Sequence, residues 1–261
     1  MADTAYETLR LLREEGIATL TLVRPPVNAL GRKLIEELND ALAALEAETT
    51  LRALIVAADG KAFSAGADLK ERQSMTAQDV LRWVPYLSGT FSRLAAIPAP
   101  TIAAIQGIAA GGGFELALAC DLRIAERGAA VGLRETALAI IPGAGGTQRL
   151  SRLIGTGRAK RWIFTARLHS PEEAIADGAL DRVVEPGEAL PAAREMAREI
   201  AVNGPLAVRA AKRAIDGGFG MPMDRALDLE RRAYESIIPT EDRQEAIRAF
   251  AEKRPAVFKG R

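Results

Sequence analysis

The sequence predicts an α/β fold built from repeated strand-strand-helix units and followed by a helical C-terminal region. Three observations carry this. Short aliphatic runs of strand length alternate with segments of helical period as far as residue 184. Glycine clusters at 111–113 and 143–146 each directly precede a segment that reads as helix, the first of them after a strand. Beyond Pro186 almost every segment reads as helix. The 261 residues therefore divide into an α/β core, 1–190, and a helical region, 191–261, expected to pack on the core or on a neighbouring subunit.

Thr8 to Leu12 and Ile17 to Val23 are β-prone runs separated by Arg13-Glu14-Glu15-Gly16, which predicts a hairpin. Residues 31 to 47 place Leu34, Ile35, Leu38, Leu42 and Leu45 on one helical face. Ala53 to Ala58 reads as a buried strand, and Ser64 to Asp68 as a small-residue loop leading into a helix. A helix over 77 to 95 stops before Pro98 and Pro100, because the residue preceding proline avoids the helical region. The order then restarts with strand Thr101 to Ile105, the glycines, and a helix from Phe114 to Cys120. Strands at Leu122 to Ala125 and Ala129 to Gly132, a helix at Thr147 to Ile154 and a strand at Arg182 to Val184 complete the core. Breaks at Asn203-Gly204-Pro205, Gly217-Gly218 and Pro239-Thr240 divide the C-terminal helices.

Composition narrows the function classes. Lys+Arg (35) and Asp+Glu (34) nearly cancel, so no charge excess asks for nucleic acid or a charged membrane. The one cysteine, Cys120, lies in an apolar run and reads as a buried structural thiol in a reducing compartment. The one histidine, His169, precedes Ser170-Pro171-Glu172-Glu173 and reads as an exposed residue before a helix start. With one His and one Cys, zinc sites rich in either are excluded, and no G-x-S-x-G elbow accompanies His169. No apolar run has membrane-spanning length, and residues 1–7 have no signal-peptide character. A cytoplasmic protein is expected, or the mature form of an organellar one. P-loop and dinucleotide-binding fingerprints are absent.

The chemistry concentrates in two glutamates on glycine-dense backbone. Glu115 follows Gly111-Gly112-Gly113-Phe114, and Glu135 is followed by Ile141-Pro142-Gly143-Ala144-Gly145-Gly146. Carboxylates in apolar surroundings have raised pKa values and exchange protons near neutral pH. Free N–H groups at strand-to-helix turns bind developing negative charge. Two such turns, at 65–68 and 111–113, could hold one carbonyl oxygen between them. Singly, each feature also has a structural explanation: a tight turn for the glycines, a first-turn helix residue for Glu115, and an ion pair with Arg134 for Glu135. The basic residues Arg149, Arg152, Arg158, Lys160 and Arg161 read as a solvated helix face or a phosphate-binding rim.

Three segments in order give a resemblance over essentially the whole chain: Ala62 to Lys70, Ile105 to Asp121, and Ile140 to Leu150. The sequence resembles the crotonase (enoyl-CoA hydratase/isomerase) family, which implies a crotonase-like spiral of ββα units. Within it, residues 67–72, 132–136, 238–243 and 252–255 are most similar to the methylglutaconyl-CoA hydratases, a group that includes an AU-rich RNA-binding homologue. The resemblance implies that Ala67 and Gly112 form an oxyanion hole for a thioester oxygen, and that Glu115 and Glu135 manage water and proton. It places CoA along Ala65, Ala67, Asp68, Leu69 and Lys70, and gives Phe250 and Lys253 contacts to a neighbour's CoA. Family hydratases carry both glutamates and isomerases typically only the second, so hydration of a 2-enoyl-CoA is implied, with 3-methylglutaconyl-CoA of leucine degradation as the candidate substrate. The family also implies a homotrimer or hexamer, and no metal or cofactor, CoA being part of the substrate. Two positions depart from the pattern. Arg134 stands where most members have proline, and Phe114 where a smaller or aliphatic side chain is common.

Two other functions compete with this one. An isomerase would use one glutamate to move a proton between the α and γ carbons. RNA binding would use the early helix, but carboxylates outnumber cations from Gly31 to Glu48 and repel phosphate, so nucleic acid is not expected as a partner.

Overall fold

The computed structural model describes residues 6–261. The chain begins with a hairpin of β1 (Leu9–Glu14) and β2 (Ile17–Leu22), paired antiparallel with Leu9 opposite Leu22 and Glu14 opposite Ile17. Its two-residue turn has positive φ at both positions, 53° at Glu15 and 79° at Gly16, the geometry that matches the twist of the flanking strands. After α1 (Arg32–Glu46), β3 (Ala53–Ala58) adds in parallel to β2. The short α2 (Leu69–Gln73) and long α3 (Ala77–Ala95) lead to β4 (Thr101–Ile105), then β5 (Ile108–Ala110) and α4 (Gly112–Leu118). Next come β6 (Leu122–Glu126), β7 (Ala130–Gly132) and a single 3-10 turn, Glu135–Leu138. The core closes with α5 (Gly146–Ile154), α6 (Thr156–Thr165), α7 (Pro171–Asp177) and β8 (Arg182–Val184). Four helices follow: α8 (Ala189–Ala201), α9 (Pro205–Gly218), α10 (Met223–Ile237) and α11 (Glu241–Ala251).

One sheet has the order β1-β2-β3-β4-β6-β8, with every pair after the hairpin parallel. A second, two-stranded parallel sheet pairs β5 with β7. The edge strand β1 buries only Leu9 and Leu11 and exposes its other four residues, whereas β2 is buried throughout. That contrast follows from a sheet covered on both faces except at its rim.

One face is covered by α1, whose Leu34, Ile35, Leu38, Leu42 and Leu45 are all buried in the main core, as the spacing predicts. The other is covered by α8, which lays Ala189, Ala192, Ala193 and Ala197 over Ile55, Ile102 and Ile124. Small alanines let the helix lie close to the strands. The helix starts foreseen near 77 and 171 carry capping boxes, Thr76 with Asp79 and Ser170 with Glu173, that satisfy otherwise orphaned first-turn amides.

The reading of His169 needs correction. The helix does begin after it, but the ring is only 1% exposed and stacks on Trp162 with centroids 3.8 Å apart and planes 10° apart. The cause is tertiary. His169 exchanges both backbone hydrogen bonds with Val131 of β7, which turns its side chain inward. The stack continues through Trp162 to Phe114 (5.9 Å between centroids), so the Phe114 ring belongs to the core.

Candidate active site

The first wall of the site is the loop from Ser64 to Asp68. Buried Asn28 anchors it, donating from Nδ2 to the carbonyls of Asp59 and Ala62 (2.8 Å each). Ser64 Oγ donates to the Asn28 carbonyl (2.8 Å) and accepts from Gly66 N (3.2 Å). Leu30 pairs with this loop through Gly66 O (2.8 Å) and Asp68 N (3.5 Å). That pairing uses the groups on either side of Ala67 and leaves the Ala67 N–H without an acceptor among the described residues. Asp68 caps α2 through Lys70 N and Glu71 N and accepts from Arg24 Nη2 at 2.5 Å. The Arg24 guanidinium holds the Asp68 carboxyl below the usual carboxylate range.

The second wall is the β5–α4 turn. Gly111 donates to Gly132 O (2.8 Å) and turns the chain with φ 53°, ψ −127°. Gly112 is the first residue of α4, where no earlier helical carbonyl can accept its N–H. The two walls touch. A Cβ on Gly66 would lie 3.2 Å from Gly112 N, and one on Gly112 would lie 3.9 Å from Ala67 N. Two amides without partners among the described residues, from separate loops, thus stand side by side.

Both glutamates face this corner. Glu115, in the first turn of α4, is 3% exposed, and its Oε1 accepts from Ala144 N and Gly146 N at 2.8 Å each. Burial raises its pKa, while those two donors and the nearby Arg149 cation oppose the rise. Glu135 opens the 3-10 turn, and its carboxylate lies over Gly111, where a Cβ would meet Oε1 at 2.9 Å. Its Oε2 is buried without a hydrogen-bond partner among the described residues. Burial, together with the charge on Glu115, lifts the Glu135 pKa to about 7. Two amides of a distant turn meet one Glu115 oxygen, whereas Glu135 has backbone amides of its own turn but one buried oxygen without a partner, and it faces the Glu115 charge. The negative charge therefore rests more easily on Glu115 and the proton on Glu135.

The structure brings Ala65, Ala67, Asp68, Leu69, Lys70, Gly112, Glu115 and Glu135 into one region, with Leu69 and Lys70 exposed on α2. Phe250 and Lys253 lie elsewhere, exposed at the end of α11, and no hydrogen bond or ion pair among the described residues ties them to this corner. Arg134 is exposed and forms no ion pair with Glu135. Of the basic cluster, Arg158 and Arg161 pair with Asp177, and Arg152 bonds Gln148, as on a solvated helix face. Arg149 differs, turning inward to the Ala144 carbonyl. Sequence reasoning missed that role, and the anchors Asn28 and Arg24, because their partners are set by the fold.

With this geometry in place, comparison with known proteins is informative. The family profile described as enoyl-CoA hydratase/isomerase matches residues 12–261. YngF of Bacillus subtilis, named for the same hydratase/isomerase class, is 49% identical over 100% of both chains. Human mitochondrial methylglutaconyl-CoA hydratase is 44% identical, over 97% of this chain and 77% of its own. The crystal structure of an enoyl-CoA hydratase from Bacillus anthracis superposes with a TM-score of 0.95 at 44% identity, covering 98% of this chain and 100% of that one. The chain belongs to the enoyl-CoA hydratase/isomerase family. It is an enzyme with the crotonase fold; the human and Bacillus anthracis proteins are named as hydratases, that is, hydro-lyases.

Proposed function

We propose that this enzyme hydrates a 2-enoyl-CoA thioester at the corner between the two loops. One observation carries the reading: a buried glutamate with two amide donors lies beside a second glutamate that has one unpartnered buried oxygen and a pKa raised to about 7, next to two amides unpaired among the described residues. The thioester oxygen accepts hydrogen bonds from Ala67 and Gly112, which draws electron density from the double bond toward that oxygen. Removing one such donor typically costs roughly 10²–10³ in rate. Ionised Glu115 takes a proton from water as its oxygen bonds to Cβ. Protonated Glu135 gives its proton to Cα, and proton exchange with solvent resets the pair. Dehydration runs the same steps backward. No metal or redox cofactor enters this scheme. The CoA moiety runs along Ala65 to Lys70, with Phe250 and Lys253 reaching the CoA of a neighbouring subunit.

For the acyl group we favour one bearing a carboxylate, as in 3-methylglutaconyl-CoA. Support comes from the exposed, unpaired Arg134 beside Glu135 and from the 44% identity to the human methylglutaconyl-CoA hydratase. The test assays crotonyl-, 3-methylcrotonyl- and 3-methylglutaconyl-CoA with wild type and Arg134→Ala. A selective loss of kcat/KM for the dicarboxylic substrate supports the assignment, and an equal loss for all three refutes it. Incubation with β,γ- and α,β-enoyl-CoA in D₂O separates hydration from isomerisation, since only hydration adds water to the α,β isomer.

A homotrimer, or a hexamer of paired trimers, built on the 191–261 region completes the reading. Its support is the apolar surface exposed there, including Met223, Leu227, Tyr234, Ile247 and Phe250. Light scattering at working concentration tests it, and a monomer would refute it. We place the protein in the cytoplasm. No described helix is long and apolar enough to cross a membrane.

A further inference from the structure

Arg149 contributes to neither the oxyanion loops nor the glutamate pair, yet it is placed to control one of them. Its Nη1 donates to the Ala144 carbonyl at 2.8 Å, and its Nη2 reaches Ser92 Oγ on α3 at 3.3 Å. The guanidinium packs against Gly145, where a Cβ would fall 2.0 Å from Nη1, and Gly145 has φ 106°. Only glycine admits both that backbone and that approach. The residues flanking Gly145 are the two whose amides donate to Glu115 Oε1, Ala144 and Gly146. One fork therefore fixes the turn that presents both donors. It also brings a cation close enough to Glu115 to favour the ionised form. Arg152, one turn further along α5, bonds only Gln148 among the described residues and does not hold the 144–146 turn.

We propose that Arg149 is a positioning residue for the reaction: by clamping the Ala144–Gly146 turn between α5 and α3 it aims two backbone donors at Glu115, the base. This inference rests on the assignment of Glu115 above. A planar guanidinium can hold a carbonyl and a hydroxyl at once, which an ammonium group cannot do with the same geometry. Because the effect is on the base and not on substrate contacts, it belongs in kcat and in the acidic limb of the pH profile, not in KM.

The experiment measures hydration kinetics against pH for wild type, Arg149→Gln and Arg149→Lys, with Glu115→Gln as reference. For Arg149→Gln, kcat is expected to fall at least about 10-fold with KM within about twofold. The acidic limb of kcat/KM is expected to move to higher pH, because both the fixed donors and the nearby cation that favour ionised Glu115 are weakened. Arg149→Lys should restore the limb toward wild type while kcat stays low, because the charge returns without the fork. A folded Arg149→Gln with an unmoved limb would overturn the proposal and mark Arg149 as a structural residue only. If Arg149→Gln does not fold, Arg149→Lys decides: wild-type kcat and limb in that variant would equally overturn it, whereas a lowered kcat at unchanged KM supports it. Should Glu115→Gln keep wild-type activity, the assignment of the base has failed, and not merely this inference.

Discussion

Glu135 should cost this protein stability at the pH where it works, and Glu135→Gln measures that cost. Its folded pKa is about 7, raised from 4.5 by burial and by Glu115. The folded state thus binds the proton more tightly than the unfolded chain does. Stability from this group is present in full below the unfolded value and is lost as pH rises through about 7. Linkage over that shift amounts to roughly 3 kcal/mol lost at pH 8 and under about 1 kcal/mol lost at pH 5. Glutamine has the same shape and no charge to desolvate. Relative to wild type, Glu135→Gln should therefore gain about 2–2.5 kcal/mol between pH 5 and pH 8. Urea unfolding of both proteins at the two pH values, at one fixed protomer concentration, reads the difference through the midpoints. The same variant should lose hydration activity by roughly 10²–10⁴ in kcat, the range of a missing general acid. A stability difference identical at both pH values would refute the reasoning, because it would mean that Glu135 does not titrate in this window.

Three further outcomes are expected. Glu115→Gln should lower kcat by roughly 10²–10⁴ with KM little changed, since the carboxylate acts on water and not on CoA; a rise in KM alone would contradict that. Gly113→Ala should destabilise by about 1–3 kcal/mol or more, because its Cβ would lie 2.2 Å from the Ser64 carbonyl oxygen, a backbone atom that cannot swing away; a melting temperature within a degree or so of wild type would contradict the packing. The Cys120 thiol, buried with its pKa pushed up to about 12, should resist alkylation in the native state, and Cys120→Ser should leave kcat unchanged; native-state labelling at the rate of a free thiol would argue against that environment.

The local chemistry of the chain was legible without coordinates. Periodicity identified the buried face of α1, the strands from β1 to β4 and the helix starts at 77 and 171, because these depend on neighbours within a turn or two. Motif order pointed to both glutamates and both glycine-bearing turns, and to the family that the profile and the relatives then established. His169 was misread for the complementary reason. Its helix start is a local signal, whereas its burial comes from pairing with Val131, 38 positions away.

What the sequence by itself determined is the inventory: which carboxylates sit on apolar, glycine-rich backbone, and that the turns beside them leave amides free. What only the tertiary structure decided is the division of labour. Ala144 and Gly146 reach Glu115 across some 30 residues and leave Glu135 Oε2 with no partner among the described residues. Arg149, in sequence one of several cations, turns inward to hold that arrangement. Both outcomes come from desolvation and hydrogen bonding at a junction of distant segments. A carboxylate's proton affinity depends on which dipoles the fold aims at it, and the order of residues along the chain does not contain that information.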